Sequence, residues 1–309
     1  MPTRTLEELR SMVGTSARTA EGLRIEAGKV AEFAAAIGDE SPIYRDAAVA
    51  RERGYEAIPA PLTFTRTAEF PRYRPAEFVE PRGFGLGLDP TTTLHGEQSY
   101  EYHAPAVVGD VLSATATLTD VRRHEGDRGG EMTFAEIEQV FEDRTGRPIV
   151  TVRSTYIETE GAEVLDESSG SRDPEPPDAE ADLRLISEEL NRTDFVEYAG
   201  ASGDFTPLHF DEPYARSCGF ETVFAQGMLT AGAASRVLTD RFGVGAVRRY
   251  RTRFEDIVFP GESVVVRGTV TGERSDVGTP LVDVELTAAT RDGRRVLSGS
   301  ATAVRDVES

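Results

Sequence analysis

Two short clusters carry side chains suited to moving protons. One is Asp204-Phe205-Thr206-Pro207-Leu208-His209, and the other is Ala225-Gln226-Gly227-Met228. A carboxylate beside an imidazole is a natural proton-moving pair, because histidine titrates near neutrality and the carboxylate raises and orients the ring. The chain has four histidines: His95, His103, His124 and His209. Only His209 follows an aspartate by five positions inside a Gly/Pro-structured turn. Pro207 fixes its own φ and biases Thr206 away from the helical region, so the turn can hold both side chains toward one cleft. Spacing alone still favours a blander pairing, a capping aspartate and a buried, satisfied histidine.

An internal repeat shifts that balance. Residues 33–65 laid over 198–230, an offset of 165, match at twelve of 33 positions without a gap, among them Gly38, Asp39, Pro42, Asp46 and Gly54. Segments 107–121 and 259–273, then 141–158 and 288–304, resemble each other in the same order. A period this long indicates two whole domains. Asp39 stands where Asp204 does, but Tyr44 replaces His209. Loss of the imidazole in one copy fits one catalytic half and one retired half.

Each half has the same order of elements. A helix (Val30 to Ile37; Thr193 to Ala201) precedes a Gly-Asp-x-x-Pro turn and a short helix (Ala47 to Arg53; Glu212 to Ser217). A second, apolar helix is expected over Leu62 to Phe70 and over Leu229 to Phe242. Strands with period-two alternation follow, as at 111–118 and 263–270, with turns at Arg144-Thr145-Gly146 and Asp292-Gly293. Helices first and antiparallel strands after make an α+β layout. Residues 161–182, rich in Pro, Ser and acids, read as a solvated linker. The expected domains are therefore 1–160 and 183–309.

Composition narrows the class. The 309 residues carry 54 Asp and Glu against 34 Lys and Arg, a net charge of −20. Lys29 is the only lysine. Such a field repels nucleic acid and anionic lipid, so neither is an expected partner. The acidity points to adaptation to high salt, of a haloarchaeal kind, where self-repulsion is screened. A moderately acidic enzyme from a GC-rich genome is the plainer alternative. No stretch approaches the ~20 apolar residues that a bilayer requires, and the N-terminus lacks a secretory apolar region. A cytoplasmic protein is expected. The single cysteine, Cys218, excludes an internal disulfide framework, and no His/Asp/Glu cluster has metal spacing, so no metal is expected. Gly83-Phe84-Gly85-Leu86-Gly87 lacks the spacing of a nucleotide loop. His95 and His103 read as structural or interfacial, and His124 as exposed.

The run YAGASGDFTPLHFDEPYARSCGFETVFAQGMLTAG at 198–232 resembles the hydratase motif of the MaoC-like, (R)-specific enoyl-CoA hydratase family. Residues 33–65 and 94–110 resemble the degenerate first domain of its two-domain members. The resemblance implies a double hotdog, each unit a central helix wrapped by a curved antiparallel sheet, with the two units pairing inside one chain. Whether that chain forms a further homodimer is left open. The implied reaction is hydration of a trans-2-enoyl-CoA to an (R)-3-hydroxyacyl-CoA, or the reverse, with coenzyme A as part of the substrate and no separate cofactor.

By position, Asp204 and His209 match the family's dyad, and Gly227 matches the glycine whose N–H polarises the thioester carbonyl. Ser235 matches a serine near the dyad, and Leu238 falls where relatives line the acyl pocket. Gln226 departs from the histidine common before that glycine. For the phosphates of coenzyme A, Arg249, Arg251 and Arg253 would share one strand face, although pairing with surface acids is at least as expected. Alternatives are a hydratase of a branched or dicarboxylic (mesaconyl-type) enoyl-CoA, a hotdog thioesterase, and an inactive acyl-CoA-binding module.

Overall fold

The computed structural model describes residues 4–76, 84–89, 91–126, 130–159 and 181–305. The expected linker lies outside these residues except for Ala181 and Asp182, as does Gly83 of the glycine-rich run.

Ten strands form one antiparallel sheet: β1 (Ser16–Arg24), β2 (Thr93–Tyr102), β3 (Val111–Gly126), β4 (Gly130–Glu142), β5 (Pro148–Glu158), β6 (Leu183–Ile186), β7 (Val247–Phe254), β8 (Val264–Asp276), β9 (Thr279–Thr290) and β10 (Arg295–Val304). Their spatial order is β1-β3-β4-β5-β2-β7-β10-β9-β8-β6. The second five strands repeat the first five in reverse, so two copies of one sheet meet at equivalent edges, β2 and β7. Alternation fixes the faces. Along β3, Leu112, Ala114, Ala116 and Leu118 point inward and are buried, while their neighbours are partly exposed.

The seam pairs Gln98 with Thr252, Ser99 with Arg251, and Tyr100 with Tyr250. On its inner face the Tyr100 and Tyr250 rings stack with centroids 6.3 Å apart. On its outer face Arg251 pairs with Glu97 at 2.5 Å and Arg249 with Glu101 at 3.6 Å.

Helices α1 (Leu6–Ser11), α2 (Ala27–Ala36) and α3 (Ala47–Glu52) belong to the first half, and α4 (Arg192–Ser202), α5 (Glu212–Ser217) and α6 (Gly227–Phe242) to the second. Helix α6 is the central helix. Its Ala- and Gly-rich run contains no proline, and it packs on β6, β7, β8 and β10.

The first-half helix expected over Leu62 to Phe70 is not an α-helix. Residues Phe64–Glu69 form a short 3-10 segment, followed by a second one at Pro71–Tyr73. Pro71 explains the break. It cannot donate to the preceding turn, and it drives Phe70 to an extended conformation, φ −58° and ψ 135°. On the inner face of β3, β4 and β5, Ala116, Ile137, Gln139 and Val152 line a cavity, with α1 packed nearby through Leu9.

Close approach of backbones marks one position sensitive to any side chain. A Cβ on Gly299 of β10 would lie 2.4 Å from the Arg251 carbonyl oxygen on β7. Gly299→Val should destabilise the protein by about 1–3 kcal/mol, the usual span for overpacking, read as a lower midpoint in chemical denaturation.

Candidate active site

Helix α4 ends at Gly203, whose φ of +87° suits glycine. A Cβ there would also meet Phe70 of the first half at 3.0 Å. Thr206 is extended ahead of Pro207, which opens the 3-10 turn Pro207–His209. Asp204 and His209 thus leave opposite ends of one rigid turn and line the same cavity, of about 1330 Å³.

His209 is buried, and its Nδ1 lies 2.8 Å from the Phe224 carbonyl oxygen. A carbonyl only accepts, so Nδ1 carries the proton and Nε2 keeps the lone pair in the neutral ring. Burial lowers the His209 pKa, with the Asp204 charge and the Phe224 hydrogen bond acting against it and Arg66 reinforcing it. The ring is therefore neutral at pH 7, with Nε2 able to take a proton.

Asp204 has both oxygens engaged. Oδ1 accepts from the Thr206 hydroxyl at 2.7 Å, and Oδ2 from the Arg66 guanidinium at 3.1 Å. Burial pushes its pKa up, but Arg66, His209 and the Thr206 bonds outweigh it and bring the carboxyl down to about 2. Asp204 is thus ionised and can only accept hydrogen bonds.

Gly227 opens α6 and lines the cavity. Its N-cap Gln226 makes no side-chain cap, because Gln226 Nε2 instead donates to the Phe195 carbonyl at 2.9 Å, tying α6 to α4. The first-turn N–H groups of a helix have no intrahelical acceptor, and the helix dipole is positive there. A side chain at Gly227 would press on Phe254 at 3.1 Å and narrow the cavity.

The other expected site residues separate. Arg253 lines the cavity, and no ion pair ties it among the described residues. Arg249 and Arg251 do not line it; they belong to the outer face of the seam, held by Glu101 and Glu97. Ser235 is buried within α6, its hydroxyl donating to the Gly232 carbonyl at 2.7 Å. Leu238 is fully buried, and neither residue lines the cavity. His95, on β2, borders the cavity and stacks on Tyr156 with centroids 5.0 Å apart. Arg66 was not among the expected site residues. Its sequence signal is that it is the single charge between Glu56 and Glu69.

Two family models match the chain. Residues 11–152 match the FAS1-like dehydratase domain region, and residues 172–291 match the MaoC-like domain. A probable enoyl-CoA hydratase 2 of Dictyostelium discoideum is 27% identical over 184 residues, 58% of this chain and 61% of that protein. The structure of a MaoC-like dehydratase superposes with a TM-score of 0.77 at 27% identity, covering 96% of this chain and 99% of the other. A Mycobacterium tuberculosis protein described as a double hotdog superposes with a TM-score of 0.66 at 13% identity, covering 97% of this chain and 98% of that one, a likeness of fold alone.

The protonation states can be read without a substrate. In a ¹⁵N titration of the histidine rings, His209 should show the Nδ1–H tautomer and a midpoint below its ordinary 6.5, because a lowered pKa means the proton leaves at lower pH. A midpoint above that value would contradict the assignment.

Proposed function

Because this chain belongs to the MaoC-like dehydratase family and folds as a double hotdog, we propose that it hydrates trans-2-enoyl-CoA to (R)-3-hydroxyacyl-CoA, or runs the reverse dehydration. One observation carries the reading. An ionised carboxylate, an imidazole with its Nε2 lone pair available, and a helix N-terminus border one cavity.

In the hydration direction a water is held between the Asp204 carboxylate and His209 Nε2. Nε2 takes one proton from it as its oxygen bonds to C3. The π electrons of the C2–C3 bond move toward the thioester, placing negative charge on the carbonyl oxygen. The Gly227 N–H and the dipole of α6 stabilise that oxygen. The carbonyl then re-forms as C2 takes the proton from Nε2, so the water ends as hydroxyl on C3 and hydrogen on C2. The ionised Asp204 stabilises the transient imidazolium. The dyad titrates as a coupled pair, so the pH–rate profile reports both groups together.

The cavity bordering the first sheet supports an acyl tunnel there. Its wall includes Ala116, Met132, Ile137 and Val152. Coenzyme A fits better than an acyl carrier protein, since a −20 surface repels an acidic carrier domain. Arg253 is the arginine of the expected three that stands where an anionic handle could meet it.

The test is a panel of crotonyl-, octenoyl- and mesaconyl-CoA, followed by loss of enoyl absorbance in molar salt and in dilute buffer. Asp204→Asn and His209→Ala should each lower kcat by roughly 10²–10⁴-fold. Full turnover in both would end the proposal, and turnover of mesaconyl-CoA alone would move the substrate to the dicarboxylic class. Ile137→Trp should cut kcat/KM for octenoyl-CoA about tenfold or more while leaving crotonyl-CoA little changed. Equal loss on both would place the acyl chain elsewhere.

A further inference from the structure

Arg66 belongs to the half that has lost its imidazole, yet its guanidinium reaches the dyad of the other half. It lies on the 3-10 segment Phe64–Glu69, lines the cavity, and is largely buried. One of its nitrogens donates to Asp204 Oδ2 at 3.1 Å, and another lies 2.6 Å from Glu69. Glu69 is more exposed than Asp204, so water already helps to solvate it, whereas Asp204 depends on its partners. The other groups around the pair are His209 and the phenols of Tyr100 on β2, Tyr156 on β5 and Tyr198 on α4.

We propose that Arg66 is a positioning residue of the second half's dyad: its guanidinium fixes the Asp204 carboxylate as an anion and so leaves the proton transfer to His209. The catalytic meaning rests on the hydratase reading, while the ion pair itself does not. The contact also gives the first half a duty beyond enclosing the acyl chain, because the dyad is incomplete without a residue from it.

Nearby packing keeps the guanidinium in register. Phe70 meets Phe205 edge to face at 5.9 Å, beside Asp204. Lys29, over the Phe70 ring at 4.5 Å, donates to the Gly200 carbonyl in the last turn of α4. The chain's single lysine thus bonds the helix that leads into the dyad turn.

The sign of the effect follows from charge. Arg66 lowers the pKa of both Asp204 and His209, so its removal raises both. The experiment uses the full chain with ¹³C-labelled aspartate carboxyls, the Asp204 signal assigned by its loss in Asp204→Asn. In the unmodified protein that signal should stay ionised down to about pH 3. In Arg66→Met it should titrate roughly one pH unit higher or more, and Arg66→Lys should restore most of the difference. In parallel, kcat/KM for crotonyl-CoA at pH 7 should fall about 100-fold in Arg66→Met, its acid limb moving up, and recover about tenfold in Arg66→Lys.

An Arg66→Met protein whose Asp204 titrates as in the parent overturns the proposal, whatever its turnover. If the unmodified protein turns over no enoyl thioester, the hydratase reading fails alone, since the titration needs no substrate. If Arg66→Met does not fold, the double variant Arg66→Met/Asp204→Asn decides. Recovered folding supports the pairing, because the buried charge has gone with its counter-ion, and continued failure overturns it.

Discussion

Five residue pairs join β2 to β7, from Glu97 opposite Arg253 to Glu101 opposite Arg249, and through them two sheet edges that would otherwise be open close on each other. The inner row of this seam, Gln98, Tyr100, Tyr250 and Thr252, is buried, while the outer row is charged. The pairing sets the distance between the halves. It brings the 3-10 segment Phe64–Glu69 beside α4, and so Arg66 beside Asp204. A largely buried pair of this kind is costly to break from one side, up to about 3–5 kcal/mol, because the remaining charge loses its close counter-ion. The seam and the pair therefore hold each other: the strands place the guanidinium, and the two charges disfavour separation of the strands.

Duplication gave both halves the same parts, and a few residues made them unequal. The first half has a 3-10 segment ahead of Pro71 where the second has α6, and its inner wall of β3, β4 and β5 borders a cavity. In the second half the proline-free α6 fills the equivalent space. The old turn of the first half is still built: Asp39 is buried and accepts from the Ser41 N–H at 3.0 Å. Tyr44 fills the place of the imidazole, its hydroxyl in the core beside Thr239, and burial pushes that phenol well above its ordinary range. Burial likewise raises Asp39, opposite to the outcome at Asp204, where a close guanidinium wins over desolvation. The two aspartates occupy equivalent turns, and the balance between burial and nearby guanidinium groups moves their pKa values in opposite directions.

Much of this was legible in the residues. The repeat gave two equal halves, the period-two runs gave antiparallel strands, and the Gly-Asp-x-x-Pro turns gave the rigid loop that carries Asp204 and His209. Helix positions followed wherever local signals agreed, as at Glu212–Ser217. The helix expected over Leu62 to Phe70 does not form: its apolar residues, Leu62, Phe64, Ala68 and Phe70, lack helical spacing, and three threonines lower its propensity. Arg249, Arg251 and Arg253 share a strand face as expected, but which acids lie across a seam depends on the register of strands about 150 residues apart. Ser235 and Leu238 lie on α6 but not in the cavity wall, because which side of a helix meets a cavity is a tertiary property. Arg66 stood out as an isolated charge between Glu56 and Glu69, but its partner could not be read from the sequence, being 138 positions away in the other copy.

The cavity draws its proposed reacting groups from the second half and about half of its lining from the first. Asp204, His209 and Gly227 fall within 24 consecutive residues of the second half, whereas Ala116, Met132, Ile137, Gln139 and Val152 belong to the first. In a symmetric dimer of single hotdogs every substitution would appear twice, altering each wall and each reactive turn together. Fusion removes that coupling. Under the proposed function, room for a longer, branched or more polar acyl group can be gained or lost by changes in β3, β4 and β5 while the turn carrying Asp204 and His209 stays as it is. One fold can thereby supply a series of enzymes that share a reaction and differ in what they accept.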